Sequence, residues 1–174
     1  MSKPIDLKSF IRDIPDFPKK GIIYKDITPL LKDPKALKAS VDMLAKAVSK
    51  LKPKYIVGIE SRGFIFGAAL AYKLGIGFIP VRKKGKLPYK TRSVSYDLEY
   101  GTDTLEIHAD AVKKNDRVVI IDDLLATGGT VSAVGKLARD SGARVAGVAF
   151  VVELGFLGGR NKLKGLPVTS IIQY

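Results

Sequence analysis

The sequence predicts an α/β fold, a largely parallel sheet covered by helices on both faces, built as a single domain over residues 1–174. Three observations carry that expectation. Apolar, β-branched runs occur at 55–60, 77–82, 117–122, 144–154 and 168–174 with little polar alternation, as in strands buried on both sides. Segments of helical period lie between several of these runs, and strands alternating with helices favour parallel pairing. Apolar residues make up 46% of the chain and charged residues 27%, enough to close a core at this length and to exclude a disordered or collagen-like polypeptide.

Along the chain, IPDFPKKG followed by DITP is Pro-rich and predicts a small cap over about residues 1–33. Residues 34–51 place Leu37, Val41, Leu44, Val48 and Leu51 at helical spacing behind Pro34, which suits a first turn. After Pro53, YIVGIE (55–60) reads as a short strand. GFIFGAALAYKL (63–74), apolar nearly all round, reads as a buried helix stopped by Gly75. Residues 84–110 break the alternation. They lack a helical stripe and contain TRSVSYDL and TDTLEIH joined through Glu99, Tyr100 and Gly101, a hairpin-like flap of the kind that serves as an active-site lid. RVVIID (117–122), the helical TVSAVGKLARDSG (130–142), RVAGVAFVVEL (144–154) and VTSIIQY (168–174) complete the pattern. Ligands of such sheets bind in the crevice at the C-terminal ends of the strands.

The chain has no Cys, which excludes a disulfide scaffold, a Cys-type zinc site and a thiol nucleophile. Its one His, His108, excludes a multi-histidine metal site and is expected to be structural, so any metal would be a hard cation such as Mg²⁺ or Ca²⁺. The net charge is +13, and its placement is uneven. Residues 82–92 (RKKGKLPYKTR) hold Arg82, Lys83, Lys84, Lys86, Lys90 and Arg92 with no acid, so the positive field is focal there. The N-terminus mixes acids and bases without an apolar run of signal length, and no stretch approaches 18 uninterrupted apolar residues. The expectation is a cytoplasmic protein without a membrane span.

The richest stretch is VVIIDDLLATGGT (118–130), where a strand ends in paired acids and a small-residue loop runs into a helix. Gly128 and Gly129 let backbone amides approach an anion, Thr127 and Thr130 add hydroxyls, and the helix start supplies unpaired N–H groups. A phosphomonoester suits that cradle. Asp122 and Asp123 would repel the same phosphate, so they either accept hydrogen bonds from sugar hydroxyls or approach Mg²⁺. A bare TGG is more often a helix cap than not, and the acids at the strand's end tip the balance toward a ribose phosphate. Neither GxxxxGK[ST] nor GxGxxG occurs, so a Walker-type triphosphatase and a Rossmann dehydrogenase both lose their motif.

IIDDLLATGGT resembles the phosphoribosyl-pyrophosphate signature of the type I phosphoribosyltransferases. IPDFPKKGIIYKDITPLL (14–31), VGIESRGFIFGAALAYKLG (57–75), VRKKGKLP (81–88), SYDLEYGTDTLEIH (95–108), VVEL and the terminal SIIQY resemble the adenine-specific branch of that family along most of the chain. The resemblance implies a type I core with an N-terminal hood and a flexible flap. It also implies transfer of ribose 5-phosphate from phosphoribosyl pyrophosphate to adenine, giving AMP and pyrophosphate, with Mg²⁺ carried mainly by the substrate and no separate protein metal site. Ala126, Thr127, Gly128, Gly129 and Thr130 then hold the 5-phosphate, and Asp122 and Asp123 the ribose hydroxyls. Around Arg62 in GIESRG a tight turn, often with a cis peptide, faces the pyrophosphate, joined by Arg82, Lys83 and Lys86. Ile23, Tyr24, Lys25 and Leu154 form the adenine slot, with Lys25 standing where the family commonly has Arg. Glu99 lies over adenine and manages its proton, completing a catalytic set with Asp122 and Asp123, while Tyr100 helps close the site. A homodimer is implied as well. The competing expectation is a regulator on the same fold that binds phosphoribosyl pyrophosphate and nucleic acid. The basic charge suits a phosphodiester backbone, but 174 residues leave no room for a separate DNA-binding domain, and nucleic acid is not the expected partner.

Overall fold

The computed structural model describes residues 5–97 and 101–174, and the chain divides into two units, Met1–Met43 and Leu44–Tyr174. In the first, Asp6 accepts a hydrogen bond from the Lys8 amide (3.1 Å) to start a short 3₁₀ turn, Leu7–Phe10. Strands β1 (Arg12–Pro15) and β2 (Ile23–Asp26) pair antiparallel. Their connection contains a cis Phe17–Pro18 bond and a Gly21 amide that donates to Asp16 (2.6 Å). Helix α1 (Thr28–Lys32) follows, with Pro29 in its first turn and Leu30 fully buried. Asp33 then accepts from the amides of Lys35 (2.9 Å) and Ala36 (2.8 Å), capping α2 (Pro34–Val48), which runs from one unit into the other. Its buried stripe is Ala36, Ser40, Val41, Leu44, Ala45 and Val48, with Leu37 half-buried. The helix closes one turn earlier than the sequence pattern suggests, since Ser49–Leu51 tighten into a 3₁₀ turn.

In the second unit the elements are β3 (Tyr55–Ile59), α3 (Arg62–Leu74), β4 (Gly77–Lys83), β5 (Thr91–Asp97), β6 (Thr102–His108), β7 (Arg117–Leu125), α4 (Gly129–Asp140), β8 (Arg144–Glu153) and β9 (Val168–Gln173). They build one seven-stranded sheet in the order β5-β6-β4-β3-β7-β8-β9. Strands β4, β3, β7, β8 and β9 are parallel, while β5 and β6 add antiparallel at one edge. From β3 the chain crosses through α3 to β4 on one side, and from β7 through α4 to β8 on the other. Right-handed crossovers in opposite directions put the two helices on opposite faces, so both faces of the central strands are covered. That explains the absence of polar alternation: Ile56, Val57, Ile59 and Val118–Ile121 are all 0–1% exposed. One core layer joins Val57, Ile59, Val81, Ile120, Val134 and Phe150. Among the described residues no helix is long and apolar enough to cross a membrane.

Two departures from the sequence pattern shape the site. Strand β7 does not stop at the acids. Its pairing with β3 ends at Gly58 opposite Ile121, but its pairing with β8 continues to Leu125 opposite Glu153. Asp122 to Leu125 therefore extend beyond their β3 neighbour, with one edge free. The flap is also more firmly built than an insertion suggests. Its return strand β6 buries Leu105 and Ile107 in the core and pairs with β4, and His108 closes the hairpin opposite Thr91 with the Tyr89 ring edge-on at 6.1 Å.

Candidate active site

The order of the strands locates the site. Connections leave β3 and β7 in opposite directions, so the loops after these neighbouring strands flank a crevice at their C-terminal ends. One loop is Glu60–Ser61, the other Ala126–Gly128.

After β7 the chain turns through Gly128 at φ +78° into α4. The first helical bond runs from the Ser132 amide to the Gly128 carbonyl (3.1 Å), so the amides just before it have no acceptor within the helix. A hollow of about 80 Å³ is lined by Asp122 and by Ala126, Thr127, Gly128, Gly129 and Thr130. The Thr130 hydroxyl meets that of Tyr96 on β5 at 3.4 Å, tying the hairpin to the loop. Such a hollow, ringed with amides and hydroxyls at a helix start, is suited to an anion.

The paired acids differ in their surroundings. Asp123 is 4% exposed, and its Oδ2 lies 2.9 Å from Arg62 Nε, an ion pair without the alignment of a hydrogen bond. Burial pushes its carboxyl up, and the Arg62 guanidinium opposes the rise. Asp122, half-buried, accepts from the Asp123 amide (2.9 Å). Burial raises it well above the usual carboxylate range, and the charge of Asp123 adds to the rise. The start of α3 comes so close that a Cβ on Gly63 would stand 2.9 Å from Asp122 Oδ1, which is why this turn needs a residue without a side chain.

On the other side of the crevice, the Glu60–Ser61 peptide is cis. Glu60 gathers the basic run: it accepts from Arg82 Nε (3.2 Å) and Nη2 (3.3 Å) and from the Lys83 amide (2.9 Å), while Arg82 Nη1 donates to the Lys86 carbonyl (3.2 Å). Arg82 foremost holds the Glu60 carboxyl below its ordinary range. Lys83 Nζ lies 3.2 Å from Asp103 on β6.

The structure thus gathers Asp122, Asp123, Arg62 and the loop Ala126–Thr130 at one strand end, and Arg82, Lys83 and Lys86 around Glu60. Ile23, Tyr24 and Lys25 lie on β2 of the N-terminal unit. There Ile23 is exposed, Tyr24 stands edge-on to Phe17 at 5.2 Å, and Lys25 pairs with Asp13 at 2.7 Å. Leu154 is buried after β8, its amide on the Leu125 carbonyl at 2.9 Å. Glu99 and Tyr100 lie outside the described residues. No local motif in the sequence marks Glu60, Tyr96 or the LGGRNKL turn (157–163) as part of the site. For Glu60 the only signal was an acid directly after a strand, ahead of a cation cluster.

A model of the phosphoribosyl transferase domain matches residues 26–165. The adenine phosphoribosyltransferase of Carboxydothermus hydrogenoformans is 59% identical over 170 residues, 98% of this chain and 100% of that one. The crystal structure of the adenine phosphoribosyltransferase of Thermoanaerobacter pseudethanolicus superposes with a TM-score of 0.94 at 58% identity, covering 97% and 98% of the two chains. That of Saccharomyces cerevisiae, complexed with D-2,5-dideoxy-2,5-imino-altritol 1,6-bisphosphate and adenine, gives 0.89 at 42% identity, covering 95% and 96%. With a family model over residues 26–165 and relatives of this identity along nearly its whole length, the chain belongs to the phosphoribosyl transferase family.

Proposed function

We propose that the chain transfers ribose 5-phosphate from phosphoribosyl pyrophosphate to adenine, giving AMP and pyrophosphate in purine salvage. The observation that carries this is the free-edged end of β7, where two carboxylates run directly into an amide-lined hollow sized for one phosphate. Relatives that match nearly the whole chain are adenine phosphoribosyltransferases, which favours adenine and disfavours a nucleic-acid-binding regulator.

The loop Ala126–Thr130 holds the 5-phosphate, and Asp122 and Asp123 accept from the ribose hydroxyls. Transfer breaks the bond between C1 and the diphosphate oxygen and forms a bond from C1 to an adenine ring nitrogen. The diphosphate leaves with the electron pair, and the attacking nitrogen loses its proton. Arg62, Arg82, Lys83 and Lys86 stabilise the charge that grows on the leaving group. Arg82 is held ready by Glu60, and its guanidinium would be shared between that carboxylate and the diphosphate. Ile23, Tyr24, Lys25 and Leu154 receive the base, and Glu99 takes its proton, both on the resemblance. Mg²⁺ bound mainly through the substrate would help neutralise the charge on the leaving diphosphate. The exposed Tyr72 and Phe156 support burial against a second copy in a homodimer, and the proposed site of action is the cytoplasm.

Incubation with phosphoribosyl pyrophosphate, Mg²⁺ and adenine, hypoxanthine or guanine in turn, with chromatography of the nucleotide formed, tests the assignment. AMP should form, and only when Mg²⁺ is present. GMP or IMP at a comparable rate overturns the adenine reading.

A further inference from the structure

The loop Ala126–Thr130 offers a phosphate only neutral donors, amides and hydroxyls, with the partial charge of a helix start behind them. A 5-phosphate monoester carries roughly −1.5 to −2 at neutral pH. Beside it stand two carboxylates, of which Arg62 engages one. Among the described residues no cation lines the hollow itself, and the turn that follows β8 brings one beside it.

That turn is locked to the loop. A Cβ on Gly128 would meet the Gly159 carbonyl oxygen at 2.5 Å, and a Cβ on Gly159 would fall on the carbonyl oxygen of Ala126, so two backbones touch where only hydrogen fits. Arg160 pins the turn from its other side, with Nε 2.6 Å and Nη2 2.7 Å from the two oxygens of buried Glu153. Two residues on, Lys162 Nζ lies 3.8 Å from where a Cβ on Gly129 would be, and Thr127 Oγ1 lies 4.0 Å from the same point. The ammonium and a loop hydroxyl thus flank the first residue of α4, with the Asp97 carbonyl oxygen 3.9 Å from the same point and Lys162 lining the adjoining hollow on the β5 side. Among the described residues no hydrogen bond or ion pair engages Lys162.

Resting on the transferase reading, we propose that Lys162 is the cation of the 5-phosphate subsite and sets the enzyme's preference for phosphorylated over unphosphorylated ribose. Arg160 and Glu153 act as positioning residues that hold the turn in place. The lysine's contribution falls on the phosphate alone and leaves the base and sugar contacts untouched.

The test compares AMP with adenosine, which differ only in that phosphate, by calorimetric titration of the wild type, K162M and K162R. K162M should bind AMP about tenfold more weakly, the loss of one charge-assisted contact, with adenosine affinity unchanged. Unchanged adenosine binding also reports that the variant is folded. K162R should recover most of the loss. In turnover, K162M should raise KM for phosphoribosyl pyrophosphate while KM for adenine and kcat stay near wild type. A K162M protein that keeps the wild-type ratio of AMP to adenosine affinity, or weakens both ligands equally, overturns the proposal. A wild type that prefers AMP no more than adenosine overturns the transferase reading itself, which is a separate failure.

Discussion

Replacing Gly128 by Ala probes the contact on which the phosphate loop rests. The cost has two parts. An alanine at φ +78° occupies the left-handed region at about 1 kcal/mol. Its methyl would also stand 2.5 Å from the Gly159 carbonyl oxygen, a backbone atom that cannot rotate away. Overpacking of that kind costs about 1–3 kcal/mol. Together they amount to about 3 kcal/mol, which in a chain of this size lowers Tm by about 6–12 °C. Gly165 is the control. It has φ +82° with no atom within 4 Å of the added Cβ, so G165A carries the conformational cost alone. Its Tm should fall by only about 2–4 °C. Thermal melts of the two variants separate the contact from the backbone preference, and KM for phosphoribosyl pyrophosphate should rise in G128A alone, because relief of the overlap moves the loop or the turn. Equal drops in Tm would refute the interlock and remove the support beneath Lys162.

Two further predictions concern the carboxylates. Burial raises Asp122, so the folded state binds its proton more tightly than the unfolded chain, and stability is lost as pH rises from the ordinary value of 3.8 through the raised one. D122N lacks that loss: at pH 7 it should melt a few degrees above wild type, the gap closing toward pH 4, while AMP formation falls about tenfold or more; a D122N that is less stable at pH 7 contradicts the assigned direction. Glu60 is the opposite case, its carboxyl lowered chiefly by Arg82, so its contribution is present above the ordinary value of 4.5 and lost as pH falls through the lowered one. E60Q should lose about 1 kcal/mol near neutral pH and nothing in acid, read by denaturant titration at both, and a constant deficit across pH would place the effect in packing instead.

Much of this protein was written locally. The unalternated runs at 55–59 and 117–121 required burial on both faces, and the helices between them required parallel crossovers, because strand and helix periods are properties of adjacent residues. The phosphate loop was legible for the same reason: strand end, acids, glycines and helix start follow one another within thirteen residues of VVIIDDLLATGGT. The extent of β7 was not legible, since Asp122 and Asp123 continue the strand only because β8 still pairs there after β3 has ended, and that depends on the register of three strands. Glu60 likewise meets Arg82 across 22 residues only once β3 and β4 lie side by side. Gly159 and Lys162 reach the phosphate loop because β8 ends beside β7 and Glu153 holds Arg160, contacts between distant positions that no local period records. The sequence by itself determined the elements and the chemical character of the loop, through periodicity and short-range turns. The tertiary structure alone decided which distant charges share the crevice, because sheet order and register set those distances.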